Sequence, residues 1–488
     1  MKTLSCLLWT PLAGALVLAF LPRHWHRHAC SIALGFSGLC LLLTLFVTIR
    51  FETNSPDVQF SEMLPWNPGM GSFYALGVDG FSLPLVLLSA FLCLVALLAG
   101  LGGPRPRGYY IAFLSLEFGM LGVFLSRDWA LFYVFWELTL IPLFFLIDQW
   151  GGKRRHGAAL NFVLYTMGGS VFMLIALLMV YAASTEHSTL MDSMQGVARG
   201  LPRGSQVLIF LGLLTGFGVK MPVFPLHGWL PLAHVEAPSP ISILLSGALL
   251  KMGAYGLIRA CAMLPEAVVV MQPWLAAIAL VGIVYGALLA WRQSDLKAMI
   301  AYSSVSHMGF VLVGLAAMNP VGLIGAVMQM TAHGLVAGAL FLLIGLLYER
   351  THTRELADYG ALGRTAPRLA AFTVLALLAS MGLPGSVGFV AELHAMIGGF
   401  QHFGAWMLVA SFGVLVGGAY ALRCVAALVA GPAKPAMSGL EDLRPAEFAG
   451  ASCLVAAIVW LGLAPAALLE LSRVSIGHYL AALQPEFL

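Results

Sequence analysis

Charge is scarce in this sequence. Of its 488 residues only 10% are Asp, Glu, Lys or Arg, whereas 60% are hydrophobic, and the mean hydropathy is +0.91. Soluble domains carry about 25% charged and roughly 45–50% apolar residues, so a soluble enzyme is excluded. The seven cysteines (Cys6, Cys30, Cys40, Cys93, Cys261, Cys424 and Cys453) are scattered and form no CxxC or CxxCH. That spacing excludes the usual iron–sulfur, zinc and c-type haem frameworks. Walker A, GxGxxG and HExxH motifs are also missing, so nucleotide hydrolysis, dinucleotide binding and zincin chemistry have no basis here. No nucleic-acid partner is expected either.

What the chain does contain is long apolar runs. Cutting at charged or Gly/Pro-rich connections yields about fourteen spans, each near 20 residues. That length suits helices crossing a hydrocarbon core of about 30 Å and not the alternating strands of a barrel. The expected class is therefore an all-α polytopic membrane protein. Met1–Phe20 begins like a signal peptide, but Pro22-Arg23-His24-Trp25-His26-Arg27-His28 stands where a small-residue cleavage site would be, so it is read as the first span. The alternation of His24, His26 and His28 with Trp25 and Arg27 points to headgroup contact and not to a metal site.

The distribution of basic residues orients the chain. One set of loops takes Arg23, Arg27, Arg105, Arg107, Lys153, Arg154, Arg155, Arg292, Lys297, Arg350, Arg354, Arg364, Arg368, Arg423, Lys434 and Arg444, and the other side takes only Lys2, Arg50, Arg127, Arg199, Arg203, Arg259 and Arg473. The positive-inside rule makes the richer side cytoplasmic and, with an even span count, has both termini face outward. Lys220 and Lys251 are then left over, inside apolar sequence. A charge at a helix centre costs roughly 2.5–3.5 kcal/mol, so it persists only where it faces protein or water and serves a purpose. The acidic residues inside spans are Glu117, Glu137, Asp148 and Glu392, with Asp148 close to Lys153 and Arg154 as interfacial partners.

Two spans carry helix breaks. The seventh, near 205–227, is interrupted by Pro222, Pro225 and Pro231 just after Lys220, and the twelfth, near 368–397, by Gly382-Leu383-Pro384-Gly385 just before Glu392. Interrupted helices five spans apart, each with a buried charge, predict two inverted five-helix repeats. The expected division is 1–108 for three leading helices, 109–263 for a proton-input half, 264–431 for an output half, and 432–488 for a last helix and tail.

Candidate proton carriers follow. Glu137, in Phe135-Trp136-Glu137-Leu138, must pair with a cation or be protonated at that depth, and Lys220 is its candidate partner, as a switch or as a static ion pair. Lys251 has no carboxylate at i±3 or i±4; a lysine without a counter-charge can give up its proton, which a carrier requires. His307 and His333 lie in consecutive spans near Ser303, Ser304, Ser306, Thr331 and Gln329, where hydroxyls and an amide can hold water. Either a relay or a satisfied structural role suits them. Glu392 would be the last station, or a helix-packing carboxylate. Glu117, His227 and His234 are accessory candidates, the two histidines having loop-shaping hydrogen bonds as their default role.

The run Val219-Lys220-Met221-Pro222, Pro225-Leu226-His227-Gly228-Trp229-Leu230-Pro231, Ala233-His234, Glu236-Ala237-Pro238 and Leu250-Lys251, with Trp136-Glu137 and Ala301–Gly309, resembles the antiporter-like membrane subunits of NADH-quinone oxidoreductase, respiratory complex I. Tyr348-Glu349-Arg350-Thr351-His352-Thr353-Arg354 is similar to the subunit M branch, the counterpart of mitochondrial subunit 4. The resemblance implies a fold of fourteen helices with broken seventh and twelfth members and a polar axis at midplane. It implies Glu137 and Lys220 as the interacting pair, Lys251 as central relay, His307 and His333 as helpers, and Glu392 as exit-side group. It implies a proton-translocating, non-catalytic subunit: NADH, FMN, iron–sulfur clusters and quinone belong to partner subunits, and neighbouring antiporter-like subunits and the lipid bilayer are its surroundings. A multisubunit sodium/proton antiporter or a membrane-bound hydrogenase shares the pattern. The chain departs from it at Leu232, where aspartate is common, and in Tyr420-Ala421-Leu422-Arg423-Cys424, which lacks the longer basic and aromatic run.

Overall fold

The computed structural model describes residues 2–99, 105–437 and 439–483, without the side chains of Arg23, His24, His26 and Ala99, so most of the leading histidine cluster lies outside the described residues. Helices α1 (Thr3–Ala19) and α2 (Ala29–Arg50) come first. The connection that follows is not an irregular loop: Gln59–Asn67 (β1) and Ser72–Val78 (β2) pair antiparallel across a turn closed by Gly71 at φ 57°. Gly71 accepts that left-handed conformation because it has no Cβ.

The helices α3 (Leu83–Ala99), α4 (Arg107–Leu125), α5 (Trp129–Leu138), α6 (Leu140–Trp150) and α7 (Arg155–Ala183) build the next part of the bundle. Asp128 caps α5 by accepting from Leu131 N at 3.0 Å. Pro142 has no N–H for the carbonyl of Leu138, and α5 and α6 are offset at Thr139, whose hydroxyl turns back to Trp136 O at 2.8 Å. The surface helix α8 (Met191–Arg199) leads into α9 (Arg203–Lys220), α10 (Trp229–Glu236) and α11 (Ser239–Leu244); a five-residue π turn over Leu245–Leu249 joins α11 to α12 (Leu250–Met263). Then come α13 (Pro265–Arg292), α14 (Leu296–Ala317), α15 (Pro320–Thr351), the short α16 (Leu362–Thr365), α17 (Pro367–Ser380), α18 (Val387–Phe403), α19 (Leu408–Val429), α20 (Pro445–Leu463) and α21 (Ala466–Leu483).

Among the described residues, ten helical segments are long and apolar enough to cross a membrane, with α1, α3 and α17 as shorter apolar helices. Both anticipated breaks are present. Helix α9 stops at Lys220, and Pro222 and Pro225 carry the chain to α10; α17 stops at Ser380, and Gly382 (φ 73°) and Gly385 (φ 94°) carry it to α18. The stretch expected to hold one last helix and a tail holds two helices, because Pro465 separates α20 from α21. Helix α21 folds back on the turn before α3, where Ser472 Oγ donates to Gly80 O (2.8 Å), and on α12, where Tyr479 OH donates to Ile258 O (2.9 Å).

Beside that contact, Asp79 caps its own turn through Phe81 N and Ser82 N and receives Arg259 at 2.5 Å and Arg127 at 3.4 Å. Burial alone would raise the Asp79 pKa, but the two guanidiniums outweigh it and hold the carboxyl down at about 2. Arg259, which the charge distribution assigned to the side poorer in basic residues, is a part-buried ion-pair member on α12. Asp148 also differs from expectation, since it takes His156 (2.7 Å) and not Lys153 or Arg154 as its partner. His156 lies in the first turn of α7, close enough to bridge the α6–α7 corner.

Candidate functional site

The most apolar stretches of the α11–α12 segment and of α15 are buried on all faces. Apolar helices buried all round have no solvated side on which to place a charge. Lys251, fully buried in the first turn of α12, solves this locally: its Nζ donates to Ser246 O at 2.5 Å, five residues back across the π turn, and lies 2.6 Å from His333 Nδ1 on α15. No carboxylate pairs with it among the described residues. Gly334 makes this approach possible, because a Cβ there would sit 2.6 Å from Leu88 Cδ2 and 2.9 Å from Gly247 O.

From His333 the row continues. The rings of His333 and His307 have centroids 5.6 Å apart. His307 Nδ1 lies 3.0 Å from Glu392 Oε1 and 3.5 Å from Gln329 Nε2. Glu392, in the second turn of α18, is 7% exposed and abuts the break at Gly382. Four of the anticipated residues, Lys251, His333, His307 and Glu392, therefore form one line across α12, α15, α14 and α18. His333 Nε2 and Gln329 Oε1 are buried without hydrogen-bond partners.

The other half is arranged differently from expectation. Lys220, at the last turn of α9, donates to Thr139 Oγ1 at 3.1 Å and lies 4.9 Å from the Trp136 ring centroid. No ion pair joins it to Glu137, although the two interact electrostatically. Glu137 has a buried, unpartnered Oε1 and lines a groove of about 670 Å³ with Tyr133, Val163 and Met167. The structure thus holds the pair open, with a neutral hydroxyl between its members in sequence.

Among the accessory candidates, Glu117 accepts from Ser37 Oγ (3.1 Å) between α4 and α2, leaves Oε2 unpartnered, and makes no described contact with the row. His227 stacks on Phe224 and meets Tyr285 edge-on. His234 is fully buried, stacked on Phe341 at 4.6 Å, and neither ring nitrogen has a partner. Loop-shaping hydrogen bonds, the default role for these histidines, are therefore not what their rings supply.

Sequence reasoning placed Lys297 in a cytoplasmic loop, and the structure corrects this. Asp295 caps α14 by accepting from Ala298 N (3.0 Å), which draws Lys297 inward, where it is 3% exposed and donates to Ala237 O at 2.9 Å. It lies at a vestibule of about 600 Å³ lined also by Glu236, Asp295, Glu349 and Arg354. His234 interacts electrostatically with both Lys297 and Lys251. The signal in the sequence was Asp295, a helix-capping residue two positions earlier.

Broken helices around a buried line of ionisable side chains define a polytopic helical membrane protein of antiporter-like build. A family model described as NADH:quinone oxidoreductase/Mrp antiporter, TM, matches residues 126–417. NADH-quinone oxidoreductase subunit M of Rhodobacter capsulatus is 41% identical over 493 residues, covering 97% of this chain and 96% of that one. The chain belongs to this family of NADH-quinone oxidoreductase membrane subunits, in its subunit M or chain 4 branch. In solved structures, a chain of respiratory complex I from Thermus thermophilus with bound NADH matches with a TM-score of 0.88 and 31% identity, over 99% of this chain and 100% of that chain. A chain of the Mrp complex from Dietzia sp. DQ12-45-1b shares the fold, with a TM-score of 0.85 at 23% identity over 97% of this chain and 52% of that chain.

Proposed function

We propose that this chain is a proton-translocating subunit of an NADH:quinone oxidoreductase, assembled with other membrane subunits, and that it moves protons from the cytoplasm to the periplasm. In this reading it holds no redox site of its own; partner subunits supply the driving reaction. Residues 109–263 act as the input half and 264–431 as the output half. Protons enter at the Lys297 vestibule and pass by way of His234 to Lys251, and then through His333 and His307 to Glu392. Glu137 and Lys220 act as the switch: when Glu137 approaches, the ammonium form of Lys220 is favoured, and when it withdraws, Thr139 alone retains the lysine.

The observation that carries this reading is the Lys251–His333 contact at 2.6 Å in a fully buried setting, continued to Glu392 through His307. A carboxylate partner would neutralise Lys251 and fix its proton, whereas an imidazole can accept it and pass it on. Moving one charge outward against 100 mV costs about 2.3 kcal/mol, which the redox reaction must provide. In an assembled complex reconstituted in vesicles, Lys220→Ala, Glu137→Ala and Lys251→Ala should each lower redox-driven proton uptake at least about tenfold, the factor set by 1.4 kcal/mol. Unchanged pumping in the Lys251 variant would sink the proposal.

A further inference from the structure

The segment formed by α11, the π turn and α12 reaches a cavity at each of its ends. Ser239, at its start, lines the Lys297 vestibule, whereas Ala262 and Met263, at its finish, line a separate cavity of about 320 Å³. Lys251 lies between the two. The second cavity belongs to the side poorer in basic residues, which the proposed direction of transport makes the periplasm. Protons released on that side are driven back by the potential that pumping builds. A carrier at the centre of the segment therefore needs a barrier there.

Lys251, Tyr255 and Arg259 fall at i, i+4 and i+8 of α12, so they share one face. Side chains on a helix lean toward its N-terminus, and the Arg259 guanidinium accordingly reaches one turn back, donating to Tyr255 OH at 3.0 Å. It lies 4.8 Å from the Tyr255 ring centroid and 5.8 Å from that of Phe81. Arg259, Asp79 and Phe81 line the cavity and Tyr255 does not, so the cavity ends at the guanidinium. Behind it, Tyr255 is fully buried against Phe124, edge-on at 5.6 Å, and against Phe132 at 6.5 Å.

The inner end of the cavity is positive. Asp79, 6% exposed, is shared by Arg259 at 2.5 Å and Arg127 at 3.4 Å, so two guanidiniums face one buried carboxylate. Asp192, the second partner of Arg127, and Asp57 are exposed at the mouth, where water screens them. Arg199, also on the lining, is turned to the Ala262 carbonyl at 3.1 Å. A guanidinium does not release its proton in a protein, so Arg259 cannot serve as a relay station.

We propose that Arg259, held over Tyr255 by Asp79, is the barrier that closes the Lys251 row to the periplasm. Its excess charge turns back a hydronium ion in the cavity, and the layer of Tyr255, Phe124 and Phe132 denies that ion a file of water. A fixed arginine that repels cations is an established way to exclude protons from a pore. This barrier presupposes Lys251 as the carrier, as proposed above.

The test is passive proton flux into vesicles holding the assembled complex, driven by a potassium diffusion potential with valinomycin and read by an entrapped pH dye, with NADH and quinone left out. The eight-residue rise from Lys251 to Arg259 is about 12 Å. A unit charge at that distance changes the occupancy of a proton about tenfold at an effective dielectric of about 20. Arg259→Gln should therefore leak about ten times faster than the parent, whereas Arg259→Lys, which keeps the charge and loses the planar fork, should stay tight. Asp79→Asn loosens the same cluster but leaves the guanidinium in place, so it should stay tight as well. Adding Lys251→Met to Arg259→Gln should return the flux to the parent value. A tight Arg259→Gln, equal leakage in its Gln and Lys variants, a leak in Asp79→Asn, or a leak that survives Lys251→Met would each overturn the barrier. Failure of the carrier reading shows separately, as unchanged pumping in Lys251→Ala.

Discussion

Lys220 has a threonine hydroxyl as its hydrogen-bond acceptor and an indole face beside it, with its expected carboxylate partner set apart. Removing the hydroxyl leaves a buried ammonium without an acceptor, a loss of about 1–3 kcal/mol for an unmet donor. Thr139→Val should therefore cut redox-driven proton uptake by about tenfold, while Thr139→Ser stays near the parent value. An unaltered Val variant, measured in the same vesicles, would remove Thr139 from the switch. The lysines, His307, His333 and Glu392 were legible in the sequence because each is an ionisable group in apolar surroundings, and such groups are rare. Thr139 was not legible. Thr44, Thr48, Thr166, Thr215 and Thr373 all lie in apolar helices with their hydroxyls on a carbonyl four residues back, so nothing in its type marks the one threonine that also receives a lysine.

Among elements, the π turn and the glycine pair beside it set where Lys251 points. A π turn spaces its bonds five residues apart, and Lys251 reaches back by that interval to Ser246 O. Gly334→Ala should act by separation, since its Cβ would meet both Leu88 and the Gly247 carbonyl. Overpacking of this kind costs about 1–3 kcal/mol, so a lower melting temperature and weaker pumping should appear together. Normal pumping in that variant would show that the close approach is dispensable. The two breaks were visible because proline and glycine announce them. The β1–β2 hairpin was not, since Pro65 and register shifts between Gln59 and Glu62 and between Pro65 and Asn67 spoil the alternation by which strands are read. The π turn has no residue signature at all.

At the level of the whole molecule, two charge clusters bind distant segments at opposite ends. Arg350 joins α15 to α20 through Glu447 at 2.5 Å and through the carbonyls of Glu441 and Asp442. The Tyr348–Arg354 stretch that identified the branch is therefore in part a clamp. At the other end, Asp79 joins the end of the hairpin and the start of α3 to Arg127 and Arg259. Its carboxyl is held at about 2 against an ordinary 3.8, a difference of about 2 kcal/mol in favour of the folded chain. A depressed value means that this contribution is complete above about pH 4 and is lost as pH falls through about 2. Asp79→Asn breaks a buried pair and should cost about 3–5 kcal/mol, read as a lower melting temperature in detergent at pH 7. A variant that melts with the parent would show that the cluster is not structural. These clusters were hidden in the sequence because Asp79 and Arg259 are 180 residues apart, and apolar periodicity does not report who pairs with whom.

His333 has one further consequence. With Nδ1 accepting from the Lys251 ammonium at 2.6 Å, a neutral ring must carry its hydrogen on Nε2, the nitrogen that has no partner. Two positive charges at that separation would repel by roughly 6 kcal/mol at an effective dielectric of about 20. The junction therefore admits one excess proton at a time. Whatever sets the rate elsewhere, the proposed path is single-file at its centre, and a second proton must wait for the first to clear the ring.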